Sequence, residues 1–155
     1  ELKKFLSIGL IALFIFGLTG CGNDNSGTLT CTKTETNEEG YATEETMIVT
    51  YKDNIVTNVE ATAIEEMDTD LVDMTVSFGQ LFATSLNEVN GLNVSYEKES
   101  DSSVKYIMSV DFQTLDLDAL RETFGEDFDD DAFYTNNNIT IDEFREENLS
   151  DYNCN

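Results

Sequence analysis

The sequence predicts an α+β fold: an antiparallel sheet of about five strands, ordered β3-α-β2-α, with one long helix packed across a face and short C-terminal helices. Three observations predict it. Apolar residues concentrate in residues 45–52 and 55–65 on either side of a polar turn, and every second residue is apolar through 92–96 and 104–112, the patterns of half-buried strands. Between residues 68 and 90 they recur at three- and four-residue steps instead, the period of a helix. Polar turn-formers, Asp53-Asn54 above all, separate the alternating runs. A chain of 155 residues has room for one domain.

Ahead of that domain, residues 1–20 read as a lipoprotein signal peptide. Lys3 and Lys4 precede an apolar run that closes on Leu18-Thr19-Gly20-Cys21. A basic start, an apolar centre and small residues at the cut are the pattern of an export leader, and the run is short for a membrane span of ~20 residues. Leu18-Thr19-Gly20-Cys21 resembles the bacterial lipobox, in which the cysteine thiol receives a diacylglyceryl group. The resemblance implies lipidation at Cys21 and an extracytoplasmic domain anchored to a bacterial cell membrane. Two acyl chains hold stably where one holds marginally. Residues 21–26 are then the lipidated Cys and a short polar tether, and residues 27–155 the single folded domain.

Within the domain, residues 28–36 alternate with many threonines and read as a first strand. Residues 37–40, Asn-Glu-Glu-Gly, form a turn. Residues 45–52 and 55–65 make a hairpin about Asp53-Asn54, which suits positive φ. That turn places Ile48, Ile55 and Val59 on one face and Val49, Tyr51 and Val56 on the other, with either face open as the core. In the helix of residues 68–90, Leu71, Met74, Phe78, Leu81, Phe82, Leu86 and Val89 form a stripe expected to pack on the sheet. Asp68 or Asp70 caps its start and Gly91 ends it. Residues 92–99 and 104–114 form a second hairpin across residues 100–103. Leu117, Leu120 and Phe124 mark a short helix ending at Gly125. The last helix starts at Thr140, with Glu143 completing a capping box and Ile141, Phe144 and Leu149 facing inward. Tyr152-Asn153-Cys154 returns to the first strand.

Composition narrows function further. Eight Lys and Arg stand against 32 Asp and Glu, a net charge of −24, and removal of the leader takes away two of the lysines. Such a surface excludes nucleic acid, which is bound by neutralising phosphates, and adhesion to anionic lipid. It favours a soluble monomer and a partner with a basic surface. Three cysteines become an anchor and an even pair once Cys21 is assigned to lipid. In an exported protein Cys31 and Cys154 are then expected to form a disulfide, worth ~4–5 kcal/mol in the chain-entropy model.

There is no histidine, which removes the usual general base and His-ligated zinc. No glycine-rich phosphate loop occurs. Acidic pairs are too numerous for any one to mark a carboxylate hydrolase, whose two acids must face each other in a cleft. Residues 136–144 resemble the end of an EF-hand loop, but Ala132, Tyr134 and Asn137 fall where early carboxylates and the glycine belong. A looser calcium site would draw on Asp129, Asp130, Asp131, Asp142 and Glu143; otherwise no cofactor is expected. Three Asn-X-Ser/Thr triplets are chance matches in a bacterial lipoprotein.

The anchor, the Leu29-Thr30-Cys31-Thr32 strand, the Tyr51-Lys52-Asp53-Asn54 hairpin and the terminal Tyr152-Asn153-Cys154 together resemble the YehR-like small bacterial lipoproteins, which carry the DUF1307 domain. The resemblance implies an α+β fold, a lipid-anchored surface location and no catalytic residue. A non-enzymatic domain that binds an envelope component or extracellular ligand is the expected function, with cation binding at residues 126–143 and a cell-wall hydrolase as alternatives.

Overall fold

The computed structural model describes residues 25–124 and 138–155. Within them lies one six-stranded antiparallel sheet and three helices. In chain order these are β1 (Gly27–Thr36), β2 (Ala42–Lys52), β3 (Ile55–Glu66), α1 (Thr69–Leu86), β4 (Leu92–Ser100), β5 (Ser103–Asp111), α2 (Leu117–Phe124), α3 (Ile141–Asn148) and β6 (Asn153–Cys154). The sheet runs β4-β5-β3-β2-β1-β6. The expected five strands are therefore six, because the C-terminal return makes a short strand outside β1. Cys31 pairs with Cys154 across it, and the two are joined by a disulfide. The backbone of Asn155 extends the ladder to Thr30.

Alternation decides which face is covered. Directly opposed residues project to the same side, so the registers place Leu29, Cys31, Met47, Val49, Val59, Val94, Met108 and Val110 together. Cys31, Val49, Val59, Val94, Val104 and Val110 are buried, each valine worth roughly 1.5–3 kcal/mol of transfer free energy. The opposite side carries Thr28, Thr32, Thr34, Glu44, Asn58, Glu60, Asn93 and Glu97, all exposed. Such a two-sided sheet, packed on one face and solvated on the other, suits antiparallel strands.

The hairpin turn is as expected: Asp53 and Asn54 have φ of 53° and 67°, the paired positive values of a two-residue turn whose twist matches the strands. The expected face partners are corrected, however. Tyr51 pairs with Val56 but Thr50 with Asn58, so Thr57 is an extra residue in a bulge. Its hydroxyl donates to the Thr50 carbonyl. The bulge puts Val59 on the side of Val49, Tyr51 and Val56, and that side is the core, while Ile48 faces solvent.

Two clusters make up the interior. The larger joins Cys31, Val49, Val56, Val59, Val110 and Phe112 to Leu120 of α2 and Ile141 and Phe144 of α3. Here α3 is fastened at its start. The Thr140 side chain accepts from the Glu143 amide, the Glu143 carboxylate accepts from the Thr140 amide, and the Ile141 amide donates to the Asn54 carbonyl. The smaller cluster is Ala83, Leu86 and Val94, where α1 meets β4.

Candidate functional site

The site begins with an inversion in α1. Of the stripe expected to pack inward, Leu71, Met74, Phe78, Leu81 and Phe82 are exposed; Phe78 and Leu81 are 66% and 69% accessible. The residues that are buried are Val72, Gly79, Ala83 and Leu86. A Cβ on Gly79 would clash with the Tyr96 ring of β4, so the ring fills the space that a side chain at this turn of the helix would need. Close approach selects the small-residue side of the helix, and the bulky side is left outward. Of the expected stripe, Leu86 and Val89 do turn in.

Polar bonds hold the helix in this rotation. The Asn87 side chain accepts from the Val94 amide at 2.6 Å and donates to the Val94 carbonyl at 2.9 Å. Gln80 donates to the Tyr96 carbonyl, and Lys98 reaches Asp73 at 3.2 Å. The helix is also shorter than expected. It stops at Leu86, with Asn87 as its C-cap, and Gly91, at φ +83°, shapes the turn that follows. Asp68 is the N-cap but makes no capping bond, because its carboxylate accepts from the Tyr41 hydroxyl instead.

Two adjoining concavities result. Met74, Thr75, Phe78, Gly79, Phe82 and Tyr96 line an open groove of about 360 Å3. Thr75 also lines a second hollow of about 320 Å3, together with Leu71, Glu39, Tyr41, Glu65, Glu66, Asp68 and Tyr106 among others. The Tyr96 and Tyr106 rings meet edge to face at 4.9 Å, so aromatic contact joins the two walls. In the second hollow, Tyr106 donates to Glu65 at 2.7 Å, and the Ala42 amide donates to Glu66. Burial first, and then the Glu65 carboxylate, push the Tyr106 hydroxyl well above its ordinary pKa. The bond to Asp68 chiefly raises that of Tyr41. Both phenols stay neutral at physiological pH. One hollow is thus apolar and the other acidic, and among the described residues no Lys or Arg lines either.

The sequence-predicted site residues are placed as follows. Cys31 and Cys154 are brought together, with Cα atoms 4.0 Å apart. Cys21, Asp129, Asp130 and Asp131 lie outside the described residues. Asp142 and Glu143 form the first turn of α3, and the Glu143 carboxylate is engaged by the Thr140 amide at 3.0 Å and its hydroxyl at 2.7 Å. Those bonds hold the Glu143 carboxyl below its ordinary value of 4.5. Among the described residues no group of three or more Asp, Glu, Cys or His is arranged to hold a metal ion, and no helix is long and apolar enough to cross a membrane.

Sequence reasoning missed Gly79, Tyr41, Tyr106 and the acids beside them. The signal for the helix was present: Val72, Gly79, Ala83 and Leu86 also recur at helical spacing. The acidic hollow gave none, since Tyr106 and Glu65 are 41 residues apart in the chain.

No family model matches the chain, and no curated protein does. Among solved structures, the NMR structure of a protein from Streptococcus pneumoniae TIGR4 is similar at a TM-score of 0.46 and 16% identity, covering 70% of this chain and 72% of that one.

Proposed function

We propose that this chain is a lipid-anchored, extracytoplasmic, non-enzymatic binding domain, monomeric in solution, whose contact surface is the outward side of α1. The observation that carries the reading is the exposure of Leu71, Met74, Phe78, Leu81 and Phe82 along one side of a single helix. Soluble monomers rarely leave large apolar side chains contiguous at the surface, and where they do the patch commonly marks an interaction site. The groove beside it adds concavity, which flat apolar surface lacks.

The remaining parts of the reading have their own support. The Lys3-to-Cys21 leader supports export and lipidation at Cys21. A histidine-free chain whose two described hollows hold carboxylates, phenols and apolar groups supports binding over catalysis. The strand order and the stapled ends support membership of the YehR-like lipoproteins. In this reading the long helix is a platform braced on the sheet rather than a mobile arm, supported by its bonds to Val94 and Tyr96.

The test is site-specific photocrosslinking in cells making the full chain. A photoreactive side chain at Phe78 should give a discrete adduct, while the same group at Thr46 on the open sheet face should not. Equal yield at both positions, or no adduct at Phe78, contradicts the proposed surface. Cys21→Ala should abolish lipid labelling; continued labelling contradicts the anchor.

A further inference from the structure

We propose that the occupant of the α1 surface is a cationic amphipathic helix, an inference that rests on the binding role assigned to that surface above. Three features of the surface point to this chemistry. First, Leu71 to Phe82 spans eleven steps of helix, roughly 16 Å at 1.5 Å per residue, and presents apolar side chains on one side throughout. That length matches about three turns of a partner helix laid in a groove with anchors at i, i+3, i+4 and i+7.

Second, the surface has a charged end. At the N-terminal end of α1 the apolar groove passes, through Thr75, into the hollow that holds Glu39, Glu65, Glu66 and Asp68. Among the described residues, no cation lines that hollow beside the four carboxylates. Nearby Lys98 is already bound to Asp73 and Asp101. Tyr41 and Tyr106 line the same wall, and aromatic rings attract an ammonium or guanidinium placed over them. A partner helix with apolar anchors along the groove and Lys or Arg at one end would satisfy both halves of the surface at once.

Third, the same charges disfavour the other occupants. A second copy of this chain brings another net charge of −24 to the contact. An anionic membrane surface meets the four acids directly and is repelled.

The test uses the full chain and synthetic peptides. One is a leucine–lysine peptide with helical three–four periodicity; one is a scramble of the same composition, which reports the attraction of any cation to an acidic protein; one is a leucine–glutamate peptide with the original pattern. The patterned cationic peptide should bind about tenfold more tightly than its scramble, the scale expected of burying one large apolar side chain. That margin should vanish in Phe78→Ser, which changes no charge. Glu39→Gln combined with Glu66→Gln should weaken the patterned cationic peptide by about threefold or more, with the loss shrinking in high salt. Circular dichroism of each variant reports whether its fold is kept.

Equal binding of the leucine–glutamate peptide overturns the inference, as does the absence of any margin over the scramble. So does a dimer of the parent chain that Phe78→Ser dissociates, which assigns the surface to a second copy. Phe78-dependent capture on zwitterionic vesicles, without discrimination among the peptides, assigns it to lipid and likewise overturns the inference. Failure here is separable from failure of the binding role. An adduct at Phe78 in cells, together with no preference for the patterned cation, removes the cationic helix and leaves the surface; no adduct at Phe78 removes both.

Discussion

The two ends of the sheet treat the same kinds of residue in opposite ways. At the β1–β6 end, large apolar groups are enclosed. Ile141 and Phe144 are buried, a disulfide joins β1 to β6, and a capping box fastens the start of α3. At the β4–β5 end, Phe78 and Leu81 stand in solvent while Gly79 and Ala83 of the same helix are buried. The difference is one of approach distance. α3 presents Ile141 and Phe144 to the core, whereas α1 lies so close to Tyr96 that only glycine fits at the contact. The closed end encloses its apolar groups, and the open end leaves apolar surface exposed where the proposed binding site lies. Substitutions at each end should therefore separate stability from binding.

The largest effect is expected at the closed end. Replacing both Cys31 and Cys154 by serine should cost about 4–5 kcal/mol in the chain-entropy model, read as a fall in denaturant midpoint relative to the oxidised parent. A cost under about 1 kcal/mol would mean that the staple constrains little. Next is Gly79→Ala at the open end. Helix propensity favours alanine by about 1 kcal/mol, but its methyl meets the Tyr96 ring, and overpacking costs about 1–3 kcal/mol. A net effect between about zero and a loss of about 2 kcal/mol is expected; a net gain would show that the Tyr96 ring does not fill the space beside Gly79.

Thr140→Ala should cost about 1 kcal/mol at neutral pH through the lost N-cap. Its pH dependence follows from Glu143. The folded carboxyl is held below its ordinary value of 4.5, so the contribution is present above that value and is lost as pH falls through the folded one. The gap between parent and variant should narrow in acid below pH 4.5, and thermal melts across that range would show it. A gap that widens in acid contradicts the cap assignment.

The phenols give a further comparison. Tyr106 and Tyr152 are both shifted upward, by burial first and then by Glu65 and Glu45 respectively. Each favours the neutral folded form, so its stabilisation is full below the unfolded value of 10.0 and is lost as pH rises through the folded one. Tyr106 and Tyr152 should resist ionisation past pH 10 until the chain unfolds. Absorbance at alkaline pH would show a delayed step that coincides with loss of circular dichroism; a single smooth titration of all the phenols would contradict it.

The pattern of what could be read from the sequence follows the same divide. At the closed end the signals are local or paired. Alternation through Met47, Val49 and Tyr51 marks a strand, Asp53-Asn54 marks the turn, and Thr140 with Glu143 marks the cap. The end cysteines imply the return of the tail. The Thr57 bulge was not legible, because β alternation has no marker for one extra residue, and it reversed the side assigned to Val59. At the open end the helix was legible and its rotation was not. Two stripes at helical spacing run through residues 71–86, one bulky and one small. Hydrophobicity favours the first, but the close packing of Gly79 on Tyr96 selects the second. The acidic hollow is assembled by side chains from three separate stretches and has no sequence signature.

The central claim is that the bulky side of α1 is surface retained for binding rather than misplaced core. The most direct measurement is the denaturant midpoint of the Phe78→Ser, Leu81→Ser double variant. If both side chains belong to the surface, stability should stay within about 0.5 kcal/mol of the parent. A loss of more than about 3 kcal/mol, the scale of emptying buried apolar positions, would place them in the core and contradict the account.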